Sequence, residues 1–148
     1  MNKENVKNPL IDNIERVHTT EMDGRLYMKL HLLPYDFSVC KVLSVSDRIL
    51  SLDFFFICHT DEEVSLVCRT EDVPENTTDR EDGWRVMRFE GVLDFSLVGI
   101  LSKVSNVLAE EKISIFATST YNTDYVLVKG NDLERAVKAL EGAGYEVE

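Results

Sequence analysis

From Leu26 onward the chain alternates: Leu26, Met28, Leu30 and Leu32 are apolar, while Tyr27, Lys29 and His31 sit between them. A period of two predicts a strand with one buried face. Pro34-Tyr35-Asp36 interrupts the run and FSVCKVL resumes it, so the spacing predicts a hairpin turn there. Ser46-Asp47 can start one helical turn through Arg48-Ile49-Leu50. FFFICH, a turn at Thr60-Asp61-Glu62-Glu63 and VSLVCR then predict a second hairpin. With His59 opposite Val64, Cys58 faces Ser65 and Cys68 faces Phe55, so the two thiols are not cross-strand partners.

The second half changes period. WRVMRFEGV alternates as a strand, with Trp84, Val86, Arg88 and Glu90 on one face and Arg85, Met87 and Phe89 on the other. Leu97, Ile100, Leu101, Val104, Val107 and Leu108 then recur at three- and four-residue steps, the stripe of a helix. Asp94 or Ser96 can cap its start, and Lys112 marks its end. ISIFATSTY and DYVLVK flank a turn at Asn122-Thr123. Asn131-Asp132 precedes a second helix, LERAVKALEGAG, stopped by Gly142 and Gly144, and YEVE is a last, edge-like strand.

This order is β-α-β-β-α-β, a ferredoxin-like sheet with two helices on one face. The first half reads β-β-(short helix)-β-β, close to the same plan. The expected class is therefore α+β: tandem ferredoxin-like βαββαβ modules with antiparallel sheets, helices on one face and reduced helices in the N-terminal module. Two local similarities support a pseudo-repeat. YDFSVCKVLS at 35–44 returns as LDFSLVGILS at 93–102, and Val64, Leu66 and Val67 align with Tyr125, Leu127 and Val128 at an offset of 61. The first DFS precedes a strand and the second a helix, so unlike roles are expected of the copies.

Boundaries follow from composition. Residues 1–26 read as a polar extension, in which Asn8-Pro9 could open a short helix with Leu10, Ile14 and Val17 on one face. Residues 27–75 form the first, degenerate module, 76–82 an acidic linker and 83–148 the second module. The whole stretch EDVPENTTDRED at 71–82 shows no apolar period.

Charge narrows the partners. A net charge of −11 disfavours nucleic acid and anionic membrane, which repel a negative surface. No apolar run approaches a spanning helix and the N-terminus lacks a signal-peptide core, so a cytoplasmic protein is expected. Cys40, Cys58 and Cys68 form no C-x-x-C pair and lie in apolar runs, which predicts three buried thiols.

Catalytic chemistry is hard to find. His18, His31 and His59 lie far apart without a second ligand at metal spacing, and no nucleotide, hydrolase or zinc-protease motif occurs. Asp94 and Asp124 would pair if the helix start meets the hairpin, but an acid pair alone defines no reaction. No enzyme, cofactor or metal is expected. The polar corner after Gly91 suits a different task. A helix N-terminus attracts a carboxylate, while Asp124 and the hydroxyls of Thr118, Ser119 and Thr120 can meet an ammonium or guanidinium. An α-amino acid carries both charges. A capping Asp beside an ordinary Ser/Thr-rich strand accounts for the same residues.

GVLDFSLVGIL and ISIFATSTYNTDYVLV, with the segment upstream, resemble an ACT domain of the CASTOR type across about residues 27–147. That group comprises tandem-ACT proteins related to aspartokinase regulatory domains. The resemblance implies two ACT modules and amino-acid binding at an ACT–ACT interface. Carried onto this chain, the site comprises Val92, Leu93, Asp94, Ser96, Leu97 and Val98 on the loop and helix start, facing Thr120, Tyr121 and Asp124. Backbone N–H groups of Ser96 to Val98 would take the α-carboxylate and Asp124 the ammonium or side chain. Ser96 stands where ACT domains often have Gly, and Gly99 is expected inside the helix. The function implied is a cytoplasmic, non-enzymatic, amino-acid-binding regulatory module. The alternative is a protein-interaction or dimerisation module that has lost ligand binding. The partners expected are an amino acid and a second copy or regulated protein.

Overall fold

A computed structural model describes residues 21–22, 25–26, 28–91, 93 and 98–148; the helix expected within 8–17 lies outside them. The elements run β1 (Glu21–Met22), β2 (Arg25–Leu26), β3 (Lys29–Leu32), β4 (Phe37–Val42), α1 (Asp47–Leu50), β5 (Phe55–His59), β6 (Val64–Arg69), β7 (Thr77–Phe89), α2 (Ile100–Glu110), β8 (Ile115–Ser119), β9 (Asp124–Lys129), α3 (Leu133–Gly142) and β10 (Glu146–Val147). Single 3₁₀ turns, Thr70–Asp72 and Gly130–Asp132, follow β6 and β9. β1 and β2 pair in a small hairpin of their own, within the segment read as an extension.

The class is α+β, built from ferredoxin-like modules. β7 organises both. Its N-terminal part pairs with β4, giving the order β7-β4-β6-β5 with α1 as the one short helix of this module. Its C-terminal part pairs with β9, which pairs with β8, and α2 and α3 cover this module.

Two sequence expectations fail here for one reason. Pro34 does not turn a hairpin: β3 and β4 never pair with each other but lie in succession along one edge of β7. β3 thus sits between β7 and β10, inside the second sheet rather than the first. Residues 77–82, expected as a wet linker, are strand. They form the outer edge of the first sheet with both faces exposed, so no apolar alternation marks them, and charge on an edge strand discourages pairing with other chains. Gly83, at φ 81°, occupies the left-handed region within this strand, and the β4–β7 register shifts beside it.

The predicted alternations hold in the interior. Met87, Phe89, Val126 and Val128 face α2 and α3, joined by Val104, Leu108, Ala136 and Leu140. Cys40, Val42, Leu66 and Cys68 face Ile49 of α1. The opposite faces of both sheets meet: Phe37, Val67, Trp84, Val86 and Leu127 form one buried cluster. Phe54 and Phe56 stand edge-on to Tyr125 across this junction, at 5.8 and 4.9 Å between ring centres. Helices therefore lie outside, and the two parts of one eight-stranded sheet, continuous through β7, pack inside. Each large side chain buried there contributes about 1.5–3 kcal/mol.

The hairpin register is as expected, with His59 opposite Val64, Cys58 opposite Ser65 and Phe55 opposite Cys68. Its counterpart pairs Ile115 with Val128 through Ser119 with Asp124. The repeat offset is therefore 60, not 61: Val64 corresponds to Asp124, His59 to Ser119 and Glu63 to Thr123. Two apolar strands slide by one position with little change in pattern, whereas the turn fixes their true alignment. Cys40 and Cys68 are buried, but Cys58 is exposed because β5 ends at an open sheet edge.

Candidate functional site

The β8–β9 turn is held by one threonine. The Thr120 N–H and hydroxyl both donate to the Thr123 carbonyl, at 2.8 and 3.0 Å. The same hydroxyl accepts from the Thr123 N–H at 3.3 Å. Thr123 is buried, and its hydroxyl donates to the Phe89 carbonyl at the end of β7 (3.1 Å). The loop after β7 is tied to the same turn, since the Leu93 N–H donates to the Asn122 carbonyl at 2.7 Å. These bonds fix the tip of the hairpin against the loop.

Helix α2 starts later than the periodicity suggested. Gly99 precedes its first turn in the left-handed conformation (φ 79°), and the Lys103 N–H donates to the Gly99 carbonyl at 2.9 Å. The N–H groups of a helix's first turn lack intrahelical acceptors. They belong here to Ile100, Leu101 and Ser102; of the expected donors Ser96–Val98 only Val98 is described, and it precedes the helix. The apolar spacing that begins at Leu97 predicts a longer helix with Gly99 inside it, whereas Gly99 precedes the first turn.

An open cavity of about 340 Å³ lies between this helix start and the hairpin. Leu93, Gly99–Ser102 and Ser119–Asp124 line it. It thus brings together four expected residues, Leu93, Thr120, Tyr121 and Asp124. Val98 stands beside it, 89% exposed and outside the lining. Val92, Asp94, Ser96 and Leu97 fall outside the described residues. Sequence reasoning missed Ile100, Leu101, Ser102, Asn122 and Thr123 as site residues. Gly99 was the available signal, because a glycine interrupting an apolar helical stripe also marks a left-handed turn.

The geometry sets a positive helix end against Asp124, with hydroxyls of Ser102, Ser119 and Thr120 between. Such a cavity can hold a carboxylate at one end and a cationic group at the other. Elsewhere the titratable groups are structural. Burial pushes the Cys68 thiol up to about 12, with Cys40 adding to the effect, so the reactive thiolate is suppressed. His31 lies 3.5 Å from Glu90 and 3.2 Å from Glu148 on the face of β3 turned away from the helices. Among the described residues no cluster of His, Cys, Asp or Glu is suited to hold a metal ion, and no helix is long and apolar enough to cross a membrane.

Residues 79–142 match the ACT domain. The chain is similar to protein Atu0741 from Agrobacterium tumefaciens at 29% identity, over 82% of this chain and 92% of that one, with a TM-score of 0.74. It shares its fold with the regulatory subunit of aspartate kinase from Thermus thermophilus in its ligand-free form. That match has 10% identity, covers 77% and 95% of the two chains and gives a TM-score of 0.56. Aspartate kinase of Clostridium acetobutylicum, an allosteric enzyme, matches at 20% identity and a TM-score of 0.56, over 74% of this chain and 32% of the enzyme. No curated protein matches the chain. The ACT match over residues 79–142 points to a ligand-binding regulatory module, and the solved structures show the shared fold.

Proposed function

We propose that the chain is a cytoplasmic, non-enzymatic amino-acid sensor of the tandem-ACT, CASTOR type, with its ligand in the cavity between α2 and the β8–β9 turn. The carrying observation is the opposition of unlike charges: the first turn of α2 and Asp124 line one cavity of about 340 Å³. In this reading the α-carboxylate meets the N–H groups of Ile100–Ser102. Asp124 takes the ammonium or a cationic side chain, and the hydroxyls of Ser119 and Thr120 orient the ligand. Binding signals by stabilising one arrangement of modules over another.

Thermal-shift measurement with each of the twenty amino acids tests this. A ligand at 100 times its Kd stabilises the native state by about 2.7 kcal/mol, so at least one should raise the melting temperature with concentration. Asp124→Ala should abolish that response. If no amino acid shifts the melting temperature at millimolar concentration, the sensor reading fails; if Asp124→Ala retains the response, the site is elsewhere.

The second reading is a dimerisation or protein-interaction module that no longer binds ligand. Exposure of Val98 (89%) and Tyr121 (81%) beside the cavity favours it, because large apolar groups there gain from being covered. A stable dimer in light scattering without any amino-acid response would support this reading.

A further inference from the structure

A second cavity, of about 520 Å³, lies between the β3–β4 connection and the end of β6 and is lined by Pro34, Tyr35, Asp36, Arg69, Thr70 and Glu71. Its cation is singular. The Arg69 guanidinium carbon lies 3.6 Å from the centre of the Tyr35 ring, and its Nε is buried without a hydrogen-bond partner. The guanidinium makes no ion pair within the described residues. The repeat offset of 60 supplies the contrast. Lys129 occupies the equivalent position and lies over Trp84 at 4.5 Å. It is satisfied by the Asp82 carbonyl (3.1 Å) and the Glu81 carboxylate (3.2 Å). One module consumes its cation within the fold, while the other presents it to a cavity.

The remaining lining has the opposite preference. Ser38 Oγ donates its proton to Asp82 and lies 2.9 Å from Thr70 Oγ1. Thr70 must therefore donate to Ser38, which leaves its oxygen as an acceptor toward the cavity. Asp36 and Glu71 add acceptors and negative charge. A phosphate dianion would be repelled by these two acids, whereas a single carboxylate paired with an ammonium matches both sides.

The geometry points to a second ligand site, in the N-terminal module, for a small zwitterion whose carboxylate pairs with Arg69 and whose ammonium faces Thr70, Asp36 and Glu71. A planar guanidinium stacked on an aromatic ring is preorganised to take a carboxylate through two parallel hydrogen bonds. This site stands apart from the α2 cavity and does not depend on ligand binding there.

The test follows the Arg69 Nε–Hε and Thr70 amide signals by NMR in the full 148-residue chain, titrated with leucine, N-acetyl-leucine, leucinamide and inorganic phosphate. The expected result is a saturable shift of both signals with leucine. Leucinamide, lacking the carboxylate, and N-acetyl-leucine, lacking the ammonium, should each bind at least tenfold more weakly. Arg69→Gln should abolish the Thr70 response and Asp124→Ala should leave it intact. Glu71→Gln, at an exposed position, should narrow the gap between leucine and N-acetyl-leucine. The proposal is overturned by the absence of a saturable shift up to about 50 mM, by tighter binding of phosphate than of leucine, or by an unchanged Thr70 response in Arg69→Gln.

Discussion

The β5–β6 and β8–β9 hairpins are built alike and serve different ends. β6 and β9 share one burial pattern, and both turns close on a threonine whose N–H and hydroxyl reach the carbonyl three residues on. The differences lie beside the turn. Val64 begins β6, whereas Asp124 begins β9. Between β4 and α1 the chain spends four residues, and the Ser46 hydroxyl accepts the Ile49 N–H at 3.4 Å, so the first helix is capped from within. Between β7 and α2 it spends ten, and Gly99 offers no side chain to cap the helix. The α2 cavity therefore lies where the loop lengthens, the cap disappears and an acid replaces valine. The two hairpins share a scaffold and differ in the residues beside their turns.

The comparison breaks most severely at the layer where the two modules meet. Leu127 and its counterpart Val67 both point into the cluster between the sheets. Leu127→Ala should cost about 2–5 kcal/mol, and Val67→Ala less, since a smaller side chain is removed. Urea denaturation reads both. Because Trp84 belongs to that cluster, its fluorescence should lose native character together with the far-UV circular dichroism signal. Two separated transitions would show that the modules unfold independently and that the shared cluster does not couple them.

A smaller effect separates the helix starts. Gly99→Ala places a side chain at φ 79° and should cost about 1–2 kcal/mol, although an added Cβ would meet no atom within 4 Å. Ser46→Ala removes a cap and should cost about 1 kcal/mol. Only the first should also weaken an amino-acid-induced thermal shift, because only the first re-aims N–H groups that line a cavity. Equal effects on ligand response would remove the distinction between capped and uncapped ends.

Thr60→Val and Thr120→Val test the shared turn. Each loses the side-chain bonds of one threonine, with a net loss of about 0.5–1.5 kcal/mol per bond. Chemical denaturation should register both to a similar extent. Ligand response should survive Thr60→Val and fail in Thr120→Val, whose turn carries the tie to Leu93.

Much of this fold was legible because its interior is written in alternation. WRVMRF assigned both faces of the C-terminal part of β7, and the helical stripe from Leu97 to Leu108 located α2 but not its start. Residues 77–82 were opaque for the converse reason: an edge strand exposed on both faces buries nothing and leaves no period to read. Pro34 misled because a proline between two strands usually signals a reversal, yet here it marks a jog between two strands on one edge of β7. Tertiary pairing decides between the two, and local sequence does not encode it. For the candidate site, residue chemistry made Asp124 and Thr120 visible, and the family resemblance added Tyr121. The N–H groups of Ile100–Ser102 were not, because their place depends on where Gly99 ends the loop rather than on their own side chains.

The smallest expected effect concerns how β7 and the C-terminal strand are pinned by carboxylates. Glu148 lies 2.7 Å from Lys29, and that hydrogen bond holds its carboxyl below the ordinary value of 4.5, with further help from His31. Asp82 is likewise held below its ordinary 3.8, first by Arg80 and then by Ser38. A depressed folded-state value means the carboxylate stabilises the fold fully above its unfolded value and ceases to do so as pH falls through the folded one. Glu148 therefore begins to lose its contribution near pH 4.5, and Asp82 only below pH 3.8. Both groups are exposed, so the losses are local. The Leu32 N–H, bonded to the Glu148 carbonyl at 2.7 Å, reports the first by amide exchange. Corrected for intrinsic rates, its protection should decline at a higher pH than that of the Lys41 amide between β4 and its neighbours. Glu148→Gln should flatten the Leu32 profile and leave the Lys41 profile unchanged; a Leu32 profile that still falls in Glu148→Gln would place the pH-sensitive contact elsewhere on the β3–β10 edge.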